Sequence, residues 1–503
     1  MKKFLQWLGF DAEKKQTSIR TELVAGVVTF LAMAYILTVN PNQMFGSSGN
    51  PYWASAFIAT ALGAVIGTLL MAFFAKMPLA QASGMGLNSM VGGLILGHAG
   101  QGHFTPGQAF MLVLISGLVF LLLSVIKING KSFREMAFDG MPVAVRTAIS
   151  VGIGLFIAYI GFQNAGIIVH NGYTQVGFVD FTNWGDQVVN SGFGVEPWAA
   201  AKTAVVALSG LFLITILEKF HVKGSIILGI LGATVIGIPL QVTDLSILAG
   251  NESVSWKFWE NFANFFTGEN SVFCSFTSVF TEGLVPEDSS IFAVIMIIIT
   301  MCMMDMFDTM GTIVGCCSNN RVLSDENNKP HNYDKIMLSD SIATCAGAVL
   351  GTSTVTTFVE SGSGVSAGGR TGLTAFTTAS LFFLAMFATP LFAAIPGAAA
   401  ASALIYVGVL MMKNNVKNVD FSTPINATAA FLTIVVMVLS YSITKGIGVG
   451  MLTYTLLTAI TYVVDLIVAA IKKTEKPKWT LSAVTLVVSA LFAIYFFVPV
   501  SLF

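Results

Sequence analysis

Apolar positions along this chain come in uninterrupted blocks, not in the alternating or three-to-four spaced patterns of half-buried strands and surface helices. Ala54 to Ala75, Phe110 to Ile126 and Leu373 to Ile395 run for 17 to 23 residues without a charge. A helix needs roughly 20 such residues to cross the hydrocarbon of a bilayer. Reading the blocks this way places spans near 24–39, 54–75, 79–97, 108–126, 144–162, 199–218, 224–241, 290–315, 337–351, 352–369, 372–394, 396–412, 424–443 and 447–471, fourteen in all. The apolar stretch from Leu481 to Phe503 is long enough to cross once more or to lie along the interface.

The polar segments between the blocks carry an orientation signal. Lys2, Lys3, Lys14, Lys15 and Arg20 precede the first span, while the loop 40–53 has no basic residue. With fourteen spans, Lys76, the Lys127/Lys131/Arg134/Arg146 group, Lys219, Lys223, Arg321, Lys329, Lys335, Arg370, Lys413, Lys417, Lys472 and Lys473 return to the side of the amino terminus. The opposite loops 163–198 and 242–289 hold only Lys257 between them. Positive residues in short loops stay in the cytoplasm, so the reading is a multi-pass protein of the cell membrane with its amino terminus inside. Residues 1–21 read as a cytoplasmic interfacial segment, because the apolar stretch after Lys3 is too short for a signal peptide and is broken by Gln6 and Gly9. The long outer loops read as solvent-exposed covers. Residues 472–503 form a basic linker and the extra apolar segment.

Seven spans per half is an odd number, so residues 22–241 and 290–471 would be inverted repeats flanking the external loop 242–289. The third span of each half departs from a leucine-rich pattern in the same way. PLAQASGMGLNSMVGG from Pro78 and GTSTVTTFVESGSGVSAGG from Gly351 each start polar and extended and then turn glycine-rich. Glycine favours unwound backbone, which membranes tolerate only where it is buried in protein or lines a cavity. Gly92, Gly93, Gly368 and Gly369 equally suit close helix packing. The run Thr354, Thr356, Thr357 ahead of Glu360 reads as a short strand leading into a half-helix, whose first N–H groups would face a ligand.

Composition narrows the function. Of 503 residues 55% are hydrophobic and 10% charged, and the net charge of −1 comes with no basic stripe, so nucleic acid is not a partner. The five cysteines match neither a zinc site nor a disulfide framework, and Cys316 and Cys317 read as packing residues. No cofactor or metal site is expected. Carboxylates inside the membrane are costly and mark function. They are Asp305 and Asp308, three apart in the eighth span; Asp340, opening the ninth, where with Ser341 it also suits a helix N-cap; Glu360 in the tenth; and Asp465 in the fourteenth, read as structural or water-facing. Glu22 stands at the mouth of the first. The histidines fall at span ends or in loops, so carboxyls would carry any proton.

These motifs resemble the nucleobase:cation symporter-2 superfamily, in its adenine/guanine/hypoxanthine permease branch, up to about Ile471. The resemblance rests on RTELVAGVVTFLAMAYILTVNP from Arg20, SGMGLN from Ser83, FDTMGTIVG from Phe307, SDSIAT from Ser339 and TSTVTTFVESGSGVSAGGRTGLTA from Thr352. It implies an all-α, uracil-permease-like fold of fourteen segments with short strands in segments 3 and 10. A core domain would comprise segments 1–4 and 8–11, and a gate domain segments 5–7 and 12–14. It also implies a substrate site at Gly86, Asn88, Asp305, Asp308 and Glu360, with Asp340 at a position of less certain role. Ser83 stands where the branch has proline, Ser89 where it has alanine and Lys76 where asparagine is common. Those departures bear on base preference more than on transport.

The expected activity is proton-coupled symport of a purine base by alternating access, with no enzymatic chemistry. Glu360 would accept from purine N–H groups and Asn88 would pair nearby, with Ser361 at the same half-helix start and Phe307 or Phe358 stacking. The candidates for offsetting the charge of Glu360 are the half-helix N–H groups, the hydroxyls of Ser361 and Ser363, and the ligand's own N–H donors. Proton coupling would fall to Asp305, Asp308, Asp340 and Glu360. Partners are then a purine nucleobase, H⁺ or alternatively Na⁺, the lipid bilayer, and a second copy if the chain is a homodimer. The competing readings are another substrate on the same fold, such as xanthine, uracil or an anion, and Na⁺ coupling.

Overall fold

The computed structural model describes residues 17–46, 50–96, 104–128, 131–132, 141–171, 175–181, 199–222, 224–249, 256–268, 270–286, 291–317, 322–323, 331–440, 443–473 and 475–497. Most of the expected amino-terminal interfacial segment lies outside them.

Helix α1 (Ile19–Met33) starts at Ser18, whose hydroxyl accepts from the N–H of Thr21. It tightens at Ala34 and Tyr35, where Leu37 and Thr38 bond three residues back, and continues as α2 (Ile36–Phe45). Next, α3 (Trp53–Leu70) ends in a π-turn over Met71–Ala75. Lys76 follows in the left-handed region, φ 56° and ψ 42°. That conformation costs a non-glycine residue roughly 1–2 kcal/mol and is borne best by asparagine or aspartate. Lys76 thus stands at a backbone turn.

The third segment is β1 (Gln81–Ser83) followed by α4 (Met85–Leu96). The first half continues with α5 (Pro106–Val125), a β2 (Lys127–Ile128) and β3 (Lys131–Ser132) hairpin, and α6 (Val143–Asn164). A β4 (Ile168–Asn171) and β5 (Gln175–Phe178) hairpin, α7 (Ala199–Lys219) and α8 (Ser225–Gly237) complete it. After α9 (Phe258–Thr267) and α10 (Val272–Glu282), the second half comprises α11 (Ile291–Cys317) and α12 (Tyr333–Leu350), then β6 (Val355–Thr357) with α13 (Ser361–Ser366). It closes with α14 (Gly372–Ala385), α15 (Thr389–Ala393), α16 (Gly397–Asn415), α17 (Pro424–Leu439) and α18 (Ile443–Lys472). Each of the fourteen expected spans corresponds to a helix or to a broken pair, and the two strand-interrupted segments are the third of each half.

Among the described residues eight helices are long and apolar enough to cross a membrane. The outward faces stay apolar, with Leu122, Phe212, Val235, Leu384, Phe431 and Leu439 all more than half exposed. In water such a surface would aggregate, whereas in lipid it meets its own kind.

Two packing groups share the chain. In one, α12 packs on α3 and α5, α14 on α1 and α3, and α13 on α1. In the other, α16 packs on α6 and α7, α17 on α6 and α18, and α7 on α8. Fewer contacts cross between them, chiefly α2 with α16, α1 with α8, and α4 and α11 with α6.

One feature of the connecting segments differs from expectation. The loop 242–289 is more than a solvent-exposed cover. Its α9 and α10 pack on α3, α5 and α12, with Phe265 and Val272 fully buried and the N–H of Val272 donating to Ser55 Oγ at 3.0 Å. A glycine-tolerant linker cannot bury such groups, but two short helices with apolar faces can. The carboxy-terminal α19 (Ala483–Phe497) packs along α18, where Thr455 and Ser489 share a 2.7 Å hydrogen bond.

Candidate functional site

The site is organised by β1 and β6, three residues each, which cross antiparallel with Gln81 opposite Thr357, Ala82 opposite Thr356 and Ser83 opposite Val355. An antiparallel crossing of the two third segments is what inverted halves produce. Gly84 N–H to Thr354 O at 2.9 Å and Phe358 N–H to Ala80 O at 3.0 Å extend the ladder at each end.

So short a sheet has two edges and no water to satisfy them. Neighbouring helices supply hydroxyls instead. Thr68 of α3 accepts from Gln81 N and donates to Gln81 O, both at 3.0 Å. Asn40 of α2 donates to Thr60 at 2.7 Å and to Thr352 at 2.8 Å. Ser83, the residue in place of proline, shares a 2.8 Å hydrogen bond with Thr352. The serine adds a side-chain tie at the crossing that proline cannot make.

The carboxylates fall into two clusters. On the α13 side, Tyr35 donates its hydroxyl to Glu360 Oε1 at 2.6 Å, and Asp308 lies within electrostatic reach of both. Glu360 is 6% exposed, and its Oε2 is buried with no hydrogen-bond partner. Of the donors expected to offset its charge, those of the protein are engaged elsewhere. The N–H groups of Ser361, Gly362 and Ser363 turn back to Phe358, Val359 and Glu360 carbonyls, and the Ser363 hydroxyl bonds the Glu360 carbonyl at 2.6 Å. Six residues of α13 also make too short a dipole to serve. Ser361 is likewise engaged elsewhere, accepting from Ala80 N at 3.0 Å.

The second cluster sits behind the strands. Asp340, fully buried, accepts from Gln81 Nε2 at 2.8 Å and Thr357 at 3.1 Å on one oxygen, and from Thr309 at 2.6 Å on the other. The N-cap reading of Asp340 is corrected: α12 begins seven residues earlier, at Tyr333, and presents Asp340 from its middle. Asp305 is beside Asp340 and Thr356, takes 2.8 Å from Thr344 on Oδ2 and has no partner on Oδ1. Asp305 and Asp308, three apart on α11, therefore meet different partners, Asp340 and Thr344 for the first and Glu360 for the second, while staying within electrostatic reach of each other.

Asn88 is fully buried, accepts from Ser353 and reaches Ser83 O at 3.5 Å, so its amide fastens the crossing. Gly86 lies half-buried in the first turn of α4, Phe358 is 4% exposed, and the side chain of Phe307 is outside the described residues. Glu22 accepts from Arg370 N at 2.9 Å, Thr371 N at 3.2 Å and Thr374 at 2.6 Å, which makes it a brace between α1 and the turn entering α14. Gly92 and Gly369 serve packing, since a Cβ would strike Gln43 O in the first case and Thr374 and Ala25 in the second. Tyr35 was the residue the sequence hid. A phenol inside an apolar span, in AYILTVNP, was its available signal.

Fourteen helical segments, two strand-crossed breaks and buried acids held by hydroxyls define a polytopic membrane carrier. The chain belongs to the Permease family (Xan_ur_permease), whose profile matches residues 20–449. It is 34% identical to Guanine/hypoxanthine permease PbuO of Bacillus subtilis over 90% of this chain and 94% of that one. To Adenine permease AdeP of Escherichia coli it is 33% identical over 88% of both. Among solved structures, the transmembrane domain of the cyanobacterial bicarbonate transporter BicA superposes with a TM-score of 0.54 at 16% identity, over 86% of this chain and 97% of that one. That likeness is one of fold.

Proposed function

We propose that this chain imports purine nucleobases across the cell membrane by proton-coupled symport, with its amino terminus in the cytoplasm. The observation that carries the reading is Glu360, a buried carboxylate oriented on one oxygen by Tyr35 and left without a donor on the other. A neutral purine presents ring and exocyclic N–H groups, and Glu360 Oε2 is an acceptor waiting for one. Asp308 lies within electrostatic reach of Glu360, and in this reading it would take the proton or the far edge of the base, with Gly86 and Phe358 beside it. The relatives named as adenine and guanine/hypoxanthine permeases support the substrate class. The α1–α5 and α11–α15 group would act as the core, moving against the α6–α8 and α16–α18 gate to alternate access.

An anion carrier on the same fold is the second reading, favoured by the BicA likeness. The hydrogen bonds described at Asp305, Asp340 and Glu360 come from neutral hydroxyl and amide groups, which suit an uncharged ligand with N–H donors better than an anion.

Uptake of labelled adenine, guanine and hypoxanthine by cells expressing the chain, each competed by the others and by bicarbonate, tests the proposal. Saturable uptake of at least one base that collapses with a protonophore is expected. Uptake that follows sodium and ignores the protonophore removes the proton. Uptake of no base removes the function.

A further inference from the structure

On the side assigned to the exterior by the charge pattern, α2 and α4 from one packing group and α6 and the start of α16 from the other enclose a cavity of about 430 Å³. Small-molecule sites span roughly 300–1,000 Å³. Asp305, Asp308 and Glu360 do not line it. It is a second place, external to the carboxylates.

Two amides set its chemistry. Gln43 of α2 donates Nε2 to Ser89 Oγ at 3.1 Å, and Ser89 donates onward to Met85 O at 3.3 Å. The serine's one hydrogen is thus spent, which fixes the amide with its oxygen as the unpaired end. Gln163, from the end of α6, faces the same cavity, and the Oε1 atoms of both glutamines are buried without a donor. The last torsion of glutamine is soft, so a small rotation offers each acceptor to an occupant. At the rim, Asp244 is held below the usual carboxylate range by the hydroxyl and N–H of Ser246, adding an ionised acceptor. All three groups ask for donors.

We propose that this cavity is an external capture subsite for flat heterocycles bearing N–H donors, with Gln43 and Gln163 accepting from the ligand edge before it passes inward. One amide rides on each packing group, so a ligand bound to both draws the groups together on the outer side. Ser89 gives the Gln43 amide its orientation. The ligand class rests on the nucleobase reading above, but the subsite does not depend on Glu360.

Gly397 lines the cavity, and a Cβ added there meets nothing within 4 Å. In a Cys274→Ser background, Gly397→Cys is labelled in intact cells by a membrane-impermeant methanethiosulfonate. Adenine, guanine or hypoxanthine should slow labelling about fivefold, as one or two hydrogen bonds warrant. Caffeine, a purine without an N–H donor, should not. Protection should survive Glu360→Gln and disappear with Gln43→Met or Gln163→Met, while Gln43→Glu, which keeps acceptors, retains it. Unliganded labelling rate and membrane abundance show that the methionine variants are folded. Absence of protection by every base, equal protection by caffeine, persistence in both methionine variants, or loss in Glu360→Gln would each overturn the subsite. Protection without uptake of any purine leaves the subsite standing and removes the transport reading; uptake without protection does the reverse.

Discussion

Asp340 and Glu360 are both buried acids beside the same pair of strands, yet their surroundings differ in kind. Asp340 is saturated by Gln81, Thr309 and Thr357, side chains of three different elements. Glu360 has one donor, Tyr35, and one bare oxygen. A buried acceptor left without a donor costs about 1–3 kcal/mol, so folding alone would not favour the second arrangement. Saturation marks a residue that holds the crossing together, and an orphaned oxygen marks one kept for something that comes and goes.

The largest effect that could break this contrast is at Asp340. Replacing it by alanine strands three donors, which should cost roughly 3 kcal/mol or more. Asp340→Ala should show little monodisperse protein after detergent extraction and a lowered melting temperature. Wild-type melting would mean the cluster holds nothing.

Glu360→Gln should do the opposite, melting normally but losing about 1.5–3 kcal/mol of base binding, roughly ten- to a hundredfold in affinity. Calorimetry with the transported base measures this directly, and unchanged affinity would put the base elsewhere.

Tyr35→Phe removes only the donor that orients Glu360. A neutral hydrogen bond is worth about 1 kcal/mol, so affinity should fall about fivefold while the fold is kept. An effect equal to that of Glu360→Gln would instead place the phenol against the base.

Smallest in magnitude is Asp308→Asn, expected to hold affinity within about threefold, below 1 kcal/mol, while changing the pH profile of uptake. An unaltered pH profile would move the proton to Asp305.

Much of the site was legible before any coordinates. The runs from Pro78 and Gly351 broke the leucine-rich pattern in matching places, and a carboxylate in one of them was conspicuous against so few membrane charges. Hydroxyl partnerships were not legible, because threonine and serine are common packing residues in membrane helices and nothing in a linear pattern says which of them meets a carboxylate. Thr309 and Thr344 were invisible for that reason, Tyr35 was signalled only by a phenol in an apolar span, and nothing in the linear pattern showed that Ser353 donates to Asn88. The helix start of α12 was misjudged because YDKIMLSD is polar enough to read as a loop, yet one buried face is sufficient to keep it helical.

The sequence by itself determined the solvent, the number of crossings and the two points where the crossings break, since each follows from local apolar length and glycine content. Only the tertiary structure decided which acid met which donor. Asp305 and Asp308 are one helical turn apart, yet Asp305 meets Thr344 and Asp340 of α12 while Asp308 meets the charge of Glu360. That choice depends on how inverted halves pack across β1 and β6, a long-range geometry that no stretch of the chain encodes alone.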